Sequence, residues 1–530
     1  MAGKANWLRY RCCQETMKKN QNILHFLAII IILRGMTLRL RHLFLVPPDA
    51  PFRLGGLFYE FSQQIIANGY ALPKHIPYYS LDGLPFAYPP LGFYLQALMI
   101  DLFSPPLFWT VNWLPPLLAT LALPAYYRLL RRISQNEIFT LSALLAFAFM
   151  PAAFVNQIEA AGLAEACGTL TLIGYAYFLL DVNTRRINIL WAGILLAATI
   201  SASPGSAIAA VVFSLLFVTK KLIAASRRKR KPLFIRFALV GGIGLLASAP
   251  YWVNTVRWHG IAIFIAPMLG QFNHPQSGSF LAAFLRNLFA FNYAGGDYAL
   301  IWNVLILAGL LYIFFQAEYC LPLLFFSIAL IPRESNWLIA LITPLFVAKS
   351  VTELILPLLK KRLRQPAPKR HLLFFATLGA IAFFSININA LTAVNALIAD
   401  ESWQISPAEV RAFTALQKEL PPQAKVVVLG NEAWREWAPQ LLQHEVINEI
   451  YGLEWQPGEF VQVISLNATL QKQGLSQTSL QQLQAYSGMS SFYILRPSDS
   501  VLPLTAENAS LLFLAENDML RLEKLRIEEK

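Results

Sequence analysis

The sequence predicts an α-helical polytopic membrane protein of about eleven transmembrane helices with a small C-terminal α/β region. Of its 530 residues 56% are hydrophobic, at a mean hydropathy of +0.48, and only 14% are charged. Many of its apolar runs approach the roughly 20 residues that cross a bilayer as a helix. Charge rises and the apolar runs shorten from about Asp400 onward. These features exclude an ordinary soluble globule for residues 22–399.

The net charge of +13 lies in short basic clusters between the apolar runs. The clusters occupy residues 4–19, 128–132, 185–186, 227–231 and 360–370. This spacing is typical of cytoplasmic loops, which are enriched in Lys and Arg, so it orients the chain. No RNA- or DNA-binding motif accompanies the charge, and we therefore do not expect a nucleic-acid partner.

If every basic cluster is cytoplasmic, an even number of spans must separate consecutive clusters. The stretch between the N-terminal tail and Arg128 holds three apolar runs, 22–45, 89–103 and 107–130, so one of them cannot span. Run 89–103 is the shortest, opens with Pro89-Pro90 and carries Asp101, so we assign it to the first external loop, 46–106. The resulting count is eleven transmembrane helices within residues 22–399. We expect the protein to lie in the plasma membrane, with the tail 1–21 in the cytoplasm. A count of twelve is the alternative.

The same parity places residues 400–530 outside the cytoplasm. Within them Ser406 to Glu409 read as a capping box that starts a helix to about Glu419. A second helix is expected over 436–443, and strands are expected over 425–429, 491–495, 510–514 and 519–522. Strands that alternate with helices favour a small α/β domain. No glycine-rich phosphate loop follows the first strand, so a nucleotide site is not expected.

The first loop carries the pattern that points to function. Asp49 follows the first apolar run by a few residues, and the amphipathic stretch Phe52–Ala67 comes next, closed by Gly69. An acid at the membrane surface beside a helix in the interface suits an enzyme that meets a lipid-borne substrate.

The chain resembles the GT-C superfamily of polytopic membrane glycosyltransferases, and within it a prokaryotic group labelled 6-pyruvoyl-tetrahydropterin synthase-related. Two stretches of the C-terminal region are similar as well, Glu436-Trp437-Ala438-Pro439 and Gly452-Leu453-Glu454-Trp455. The pattern in the first loop consists of Asp49, the stretch 52–67, Gly69 with Pro73, Gly83 with Pro85, and Tyr88-Pro89-Pro90-Leu91.

The resemblance implies an enzyme that transfers a sugar from a polyprenyl-phosphate-linked donor, as in dolichyl- or polyprenyl-phosphate-sugar mannosyltransferase-like proteins. Its partners would be that donor, membrane lipid and an acceptor. Many relatives carry a second acid beside the first, whereas Asp49 is followed by Ala50 and Pro51. A divalent metal is therefore not supported by a second acid, and the cofactor stays open.

Inverting sugar transfer needs a base for the acceptor hydroxyl and a cation for the phosphate. Asp49 is the natural base, although an acid after proline is often only a turn or helix cap. Glu165, at the start of a membrane helix, is a second catalytic candidate, and Glu159 in the same turn is a substrate-binding one. Either glutamate could instead be an acid that stabilises the helix N-terminus through the helix dipole.

Several cationic residues are candidates for the phosphate. Arg333, in the turn Pro332-Arg333-Glu334, suits a phosphate because of its planar guanidinium, or pairs with Glu334. Substrate-binding candidates in the first loop are Lys74, His75 and Tyr88. Arg34, Arg39 and Arg41 lie at the outer end of the first helix. They are further candidates for binding the phosphate; alternatively, such side chains extend to the lipid headgroups.

Two other functions compete with a transferase. A transporter or lipid flippase would show ionisable pairs at mid-span or inverted repeats, and neither is evident. A non-catalytic scaffold of the same shape is the third reading, favoured by the missing second acid.

Overall fold

The computed structural model describes residues 22–81, 83–267, 293–295, 299–331, 335–363, 369–500, 504–506 and 509–527, and it is mostly helical up to residue 400. The helices of this part are α1 (Asn22–Arg39), α2 (Gly56–Ala67), α3 (Leu91–Phe103), α4 (Trp109–Ile133), α5 (Glu137–Phe149), α6 (Leu163–Leu180), α7 (Arg186–Ile200), α8 (Pro204–Ala224), α9 (Arg227–His259), α10 (Leu300–Phe315), α11 (Cys320–Ala329), α12 (Ser335–Ile339), α13 (Thr343–Lys349), α14 (Leu356–Leu363) and α15 (Lys369–Ala399).

Six helical stretches among the described residues are long and apolar enough to cross a membrane. They are 22–39, 160–180, 204–224, 227–259, 337–361 and 377–399. Five further apolar helices are shorter, and the 25-residue α4 is long enough but less apolar. The chain is therefore a membrane protein, while the count of eleven spans stays a prediction.

Small residues let the membrane helices approach closely. A Cβ on Gly193 of α7 would lie 2.6 Å from the Cβ of Ile243 in α9, so only glycine fits there. Close backbone approach at small residues is the usual way in which membrane helices associate. Caps set the helix starts: Asn136 accepts the amide hydrogens of Ile138 and Phe139 and begins α5.

The first loop folds into α2, a hairpin and α3. The hairpin pairs β1 (His75–Ile76) with β2 (Leu84–Pro85). Helix α3 has 13 residues, so it spans only about 20 Å, less than the ~30 Å hydrocarbon core. It packs against α2, α4 and α6, which is consistent with a segment that does not cross.

Helix α2 differs from its prediction at its start. It begins at Gly56 rather than Phe52, because Arg53 has a positive φ of 66° that no α-helix accommodates. Its side chains from Leu57 to Ser62 are mostly buried by protein, with Phe61 only 1% exposed. Protein therefore covers most of this helix, and its position in the membrane interface stays a prediction.

Residues 400–527 build a five-stranded mixed sheet flanked by helices. The strand order is β4-β3-β5-β7-β6, with β3 parallel to β4 and β5, and β7 antiparallel to β5 and β6. Its elements are α16 (Pro407–Leu416), β3 (Lys425–Val428), α17 (Glu432–Leu442), β4 (Glu445–Val446), α18 (Pro457–Gln473), α19 (Gln477–Ser487), β5 (Ser491–Pro497), β6 (Ala509–Glu516) and β7 (Leu520–Ile527).

The expected capping box is present, since Ser406 and Glu409 each accept the other's backbone amide hydrogen. All four predicted strands are present: each begins within one residue of its predicted start and ends within one to five residues of its predicted end. Helix α17 begins at Glu432, four residues before its prediction, because the Asn431 side chain accepts the amide hydrogen of Trp434.

Candidate functional site

Asp49 lies in an exposed turn just beyond α1 and the short 3₁₀ helix Arg41–Phe44. Its side chain is 59% exposed, and its Oδ2 is 3.5 Å from a guanidinium nitrogen of Arg411 in α16. The Arg411 side chain is 70% exposed, and exposed pairs of this kind contribute only about 0–1 kcal/mol. The carboxylate is thus easily released to another partner.

Asn112 in α4 fixes the chain that follows Asp49. Its side-chain oxygen accepts the amide hydrogen of Phe52 at 2.8 Å, and its amide group donates to the carbonyl of Ala50 at 2.9 Å. Beneath the turn lies a cleft of about 30 Å³, lined in part by Pro48, Asn112 and Trp109. Asp49 therefore rests on a held backbone, which the two preceding prolines alone did not predict.

Arg53 forms the centre of a cluster next to this turn. Its Nε lies 3.4 Å from Glu159 and its Nη1 lies 3.7 Å from Asp400, while its guanidinium is 5.6 Å from the ring centre of Trp403. The Arg53 side chain is 11% exposed and that of Glu159 is 17% exposed. The cluster joins the first loop, the turn before α6 and the segment after α15.

Burial raises the pKa of Glu159 to about 7, although Arg53 lowers it and Asp400 raises it further. A carboxyl group with this pKa changes its protonation near neutral pH, as a general acid or base must. The sequence placed Glu159 among substrate-binding residues, and the geometry instead brings it to Arg53.

The other sequence candidates lie apart from one another. Glu165 is half-buried in the first turn of α6. Tyr88 is half-buried in an aromatic cluster, with ring centres 5.2 Å from Phe58 and 5.2 Å from Trp455. Arg333 falls outside the described residues. Their functional roles stay predictions.

Lys74 and His75 are exposed at the start of the β1–β2 hairpin. The His75 ring centre is 5.4 Å from that of His259, the last residue of α9. Burial and then the charge of Lys74 lower the pKa of His75. These three residues link the loop to the end of a membrane helix, and Lys74 is the charged member, because the lowered pKa of His75 leaves its ring neutral near pH 7. The sequence had not paired His259 with the loop.

The three arginines of the first helix region lie in different environments. Arg39 is fully buried and donates to the carbonyls of Gly35, Phe147 and Ala148, so it joins α1 to α5 rather than reaching headgroups or a phosphate. Arg34 and Arg41 line a surface groove instead.

The C-terminal region covers the first loop through Glu436. The carboxylate accepts the amide hydrogens of Gly55 and Gly56 at 3.0 and 2.9 Å with one oxygen, and that of Leu57 at 2.9 Å with the other. Trp437 donates from Nε1 to the carbonyl of Arg53 at 2.9 Å. Glu436 therefore caps α2 from a site about 380 residues away along the chain.

Two further buried acids lie near this cap. Glu60 and Glu449 are 4% and 1% exposed, and burial raises the pKa of both, to about 8 for Glu449. Burial also raises the pKa of Glu436, while its three amide hydrogen bonds lower it. Apart from the Glu436-Trp437 motif, nothing in the sequence indicates these contacts.

Within the described residues no group of three His, Cys, Asp or Glu side chains is placed to hold a metal ion. Asp49 and Glu159 each face an arginine, Arg411 at 3.5 Å and Arg53 at 3.4 Å.

A scan of protein-family models and a search of curated proteins found no match to this sequence. Solved structures do match. The archaeal oligosaccharyltransferase AglB from Archaeoglobus fulgidus, in complex with an inhibitory peptide and a dolichol-phosphate, has a TM-score of 0.58 at 13% identity, with 90% of this chain and 70% of that chain covered. The same enzyme tethered with an acceptor peptide gives 0.59 at 13% identity, covering 89% and 69%.

ArnT from Cupriavidus metallidurans, in the apo state, gives a TM-score of 0.53 at 13% identity, covering 96% of this chain and 98% of that chain. At such identities these matches establish a shared fold. The chain thus has the fold of the GT-C membrane glycosyltransferases over nearly its whole length. The fold predicted from the sequence is confirmed at this level, whereas membership of the superfamily and of the narrower pterin-synthase-related group stays a prediction.

Proposed function

We propose that the protein is a membrane glycosyltransferase that transfers a sugar from a polyprenyl-phosphate-linked donor to an acceptor on the outer face of the membrane. The observation that carries the proposal is the fold match, which extends over 89–96% of the chain and includes an enzyme solved with a dolichol-phosphate. An exposed acid, Asp49, on a held turn beside the membrane helices supports it.

In this reaction the acceptor hydroxyl oxygen forms a bond to the anomeric carbon of the sugar. The bond from that carbon to the phosphate oxygen breaks, and its electrons leave with the polyprenyl phosphate. Asp49 accepts the hydroxyl proton. The ion pair between Asp49 and Arg411 must break first, and breaking an exposed pair at 3.5 Å costs little free energy.

The phosphate needs a cation near the membrane surface. Lys74 provides one such charge, with the imidazole rings of His75 and His259 beside it able to donate hydrogen bonds, and Arg333 is expected to provide another. Glu165 is proposed to serve near the base, and Tyr88 to support the loop that carries the hairpin.

The test substitutes Asp49 in the full-length protein. Asp49→Asn keeps the shape of the side chain but cannot accept the proton, so we expect transfer to fall by about 10²–10⁴-fold. Asp49→Glu should retain detectable activity. Asp101→Asn is the matched control, because Asp101 is another loop acid and accepts a hydrogen bond from Tyr70 at 2.9 Å.

A scaffold of the same fold is the second reading, since Asp49 contacts Arg411 of the C-terminal region. It predicts no transfer by the parent protein and unchanged membrane insertion of Asp49→Asn. Transfer by Asp49→Asn within a few-fold of the parent would reject the catalytic role of Asp49.

A further inference from the structure

A groove of about 500 Å³ runs along the outside of the membrane region between α1 and α15. Its apolar lining comes mainly from the α1 side, with one residue contributed by α15. Phe44 is 80% exposed and Leu33 is 55% exposed, so the groove is open toward the surroundings of the helices rather than into the protein. The apolar lining includes Leu33, Met36, Leu40, Phe44, Leu45 and Leu391.

Two arginines also line the groove. Arg34 donates from Nε to the side-chain oxygen of Asn387 at 3.4 Å, and Arg41 donates from Nε to that of Asn395 at 2.9 Å. Among the described residues no carboxylate lies within ion-pair distance of either guanidinium. Both guanidinium groups thus bond to neutral oxygens, Arg34 also to the hydroxyl of Thr37 at 3.4 Å, and their other N–H groups can bind an anion.

Both arginines face the same neighbouring helix. Arg34 lies in α1 and Arg41 begins the 3₁₀ helix that follows it, and the two guanidinium groups bond to Asn387 and Asn395 of α15. The two charges therefore lie along one side of the groove. A charged side chain that faces lipid is costly unless it is paired or solvated, and an exposed arginine in a membrane helix therefore calls for a partner.

The groove ends close to Asp49. Leu45 lines it and precedes Asp49 by four residues, so their Cα atoms are at most about 15 Å apart. A molecule with its apolar chain against Leu33 and Leu40 and an anionic group at Arg41 would extend its remaining polar part toward the exposed turn of Asp49.

We propose that this groove binds a phosphate-bearing lipid of the adjoining leaflet, with its phosphate at Arg34 and Arg41 and its hydroxylated head group at Asp49. This lipid is the acceptor, an assignment that rests on the proposed glycosyltransferase function. Its hydroxyl oxygen becomes the glycosidic oxygen, its proton passes to Asp49, and the polyprenyl phosphate leaves with the electrons of the broken bond.

Charge complementarity favours this occupant over a second protein. Two unpaired cations beside an apolar channel match a phosphate joined to a hydrocarbon chain, whereas an apolar helix would leave both guanidinium groups without an anion. Arginine also binds phosphate through two parallel hydrogen bonds, which adds geometric selectivity to the charge.

The binding test titrates phosphatidylglycerol into the purified full-length protein in detergent and measures bound lipid by native mass spectrometry. A glycosyl diacylglycerol with the same chains and no phosphate is the second probe. We expect phosphatidylglycerol to bind about 10-fold more tightly, and Arg34→Gln with Arg41→Gln to remove that preference. Leu391→Trp, which fills the groove, should weaken both lipids.

Arg257→Gln is the matched control. Arg257 is an exposed arginine at the end of α9, two residues before His259, which contacts the first loop. It lies outside the groove lining, so its loss should leave the lipid preference unchanged. Equal binding of the two lipids by the parent, or an unchanged preference in the double variant, overturns the site.

The acceptor assignment is tested with a polyprenyl-phosphate donor labelled in its sugar. We expect the label to appear in the lipid fraction, and we expect less of it there with the Arg34→Gln, Arg41→Gln double variant. Label in a water-soluble product that is insensitive to these substitutions overturns the lipid acceptor and leaves the transferase proposal intact. If the parent protein transfers no sugar, both the proposed function and the lipid acceptor are overturned. The comparison of the two lipids then tests only whether the groove binds a phosphate-bearing lipid.

Discussion

Glu436→Ala tests the main contact between the C-terminal region and the first loop. The carboxylate is 2% exposed and accepts three amide hydrogens at the start of α2, at 3.0, 2.9 and 2.9 Å. Alanine leaves all three donors buried without a partner. A stranded buried donor costs about 1–3 kcal/mol, so the low end for three donors is about 3 kcal/mol.

The assay is amide hydrogen exchange of the full-length protein in detergent, read at Gly55, Gly56 and Leu57. A local opening made easier by about 3 kcal/mol corresponds to exchange roughly 100-fold faster at these positions. Glu436→Gln retains one acceptor oxygen and should give an intermediate rate.

Glu432→Gln is the control, because Glu432 lies one turn earlier in the same helix and its side chain is 38% exposed, 3.8 Å from Arg435. The Arg435 side chain is only 6% exposed, but glutamine keeps an acceptor oxygen for it, and the amide hydrogens of α2 go to Glu436, so we expect little change at the start of α2. The reasoning is refuted if Glu436→Ala exchanges no faster than Glu432→Gln at the start of α2. Gly56→Ala approaches the same contact from the loop, since its Cβ would lie 2.8 Å from the carbonyl oxygen of Glu436.

Three further predictions concern buried charge and topology. Arg53→Met leaves Glu159 buried without its partner at 3.4 Å, so thermal stability should fall more at pH 8 than at pH 6, and equal losses would contradict the ion pair. Burial raises the pKa of Glu159 to about 7 and that of Glu449 to about 8, so the folded state binds more protons than the unfolded one. Stability should therefore decline as pH rises from about 4.5 to 8, and Glu449→Gln should flatten the upper part of a melting-temperature curve. A reporter fused after residue 530 should be active only outside the cytoplasm, and cytoplasmic activity would overturn the eleven-span count.

The sequence determined much of the local structure because local structure depends on neighbouring residues. Long apolar runs predicted membrane helices, and the Ser406–Glu409 pattern predicted a helix start that the structure contains. Short runs of apolar and β-branched residues predicted most of the sheet, including Lys425–Val428. The loop motif around Asp49 also led to the superfamily whose fold the structure shares.

The tertiary structure alone decided which distant residues meet. Nothing near Glu159 in sequence indicates that Arg53 faces it, and Glu436 reaches Gly56 across about 380 residues. Arg34, Arg39 and Arg41 look alike in sequence, yet Arg39 is fully buried while the other two line a groove. Helix periodicity specifies which face a side chain takes, but burial and pKa depend on what folds against that face, and those partners come from elsewhere in the chain.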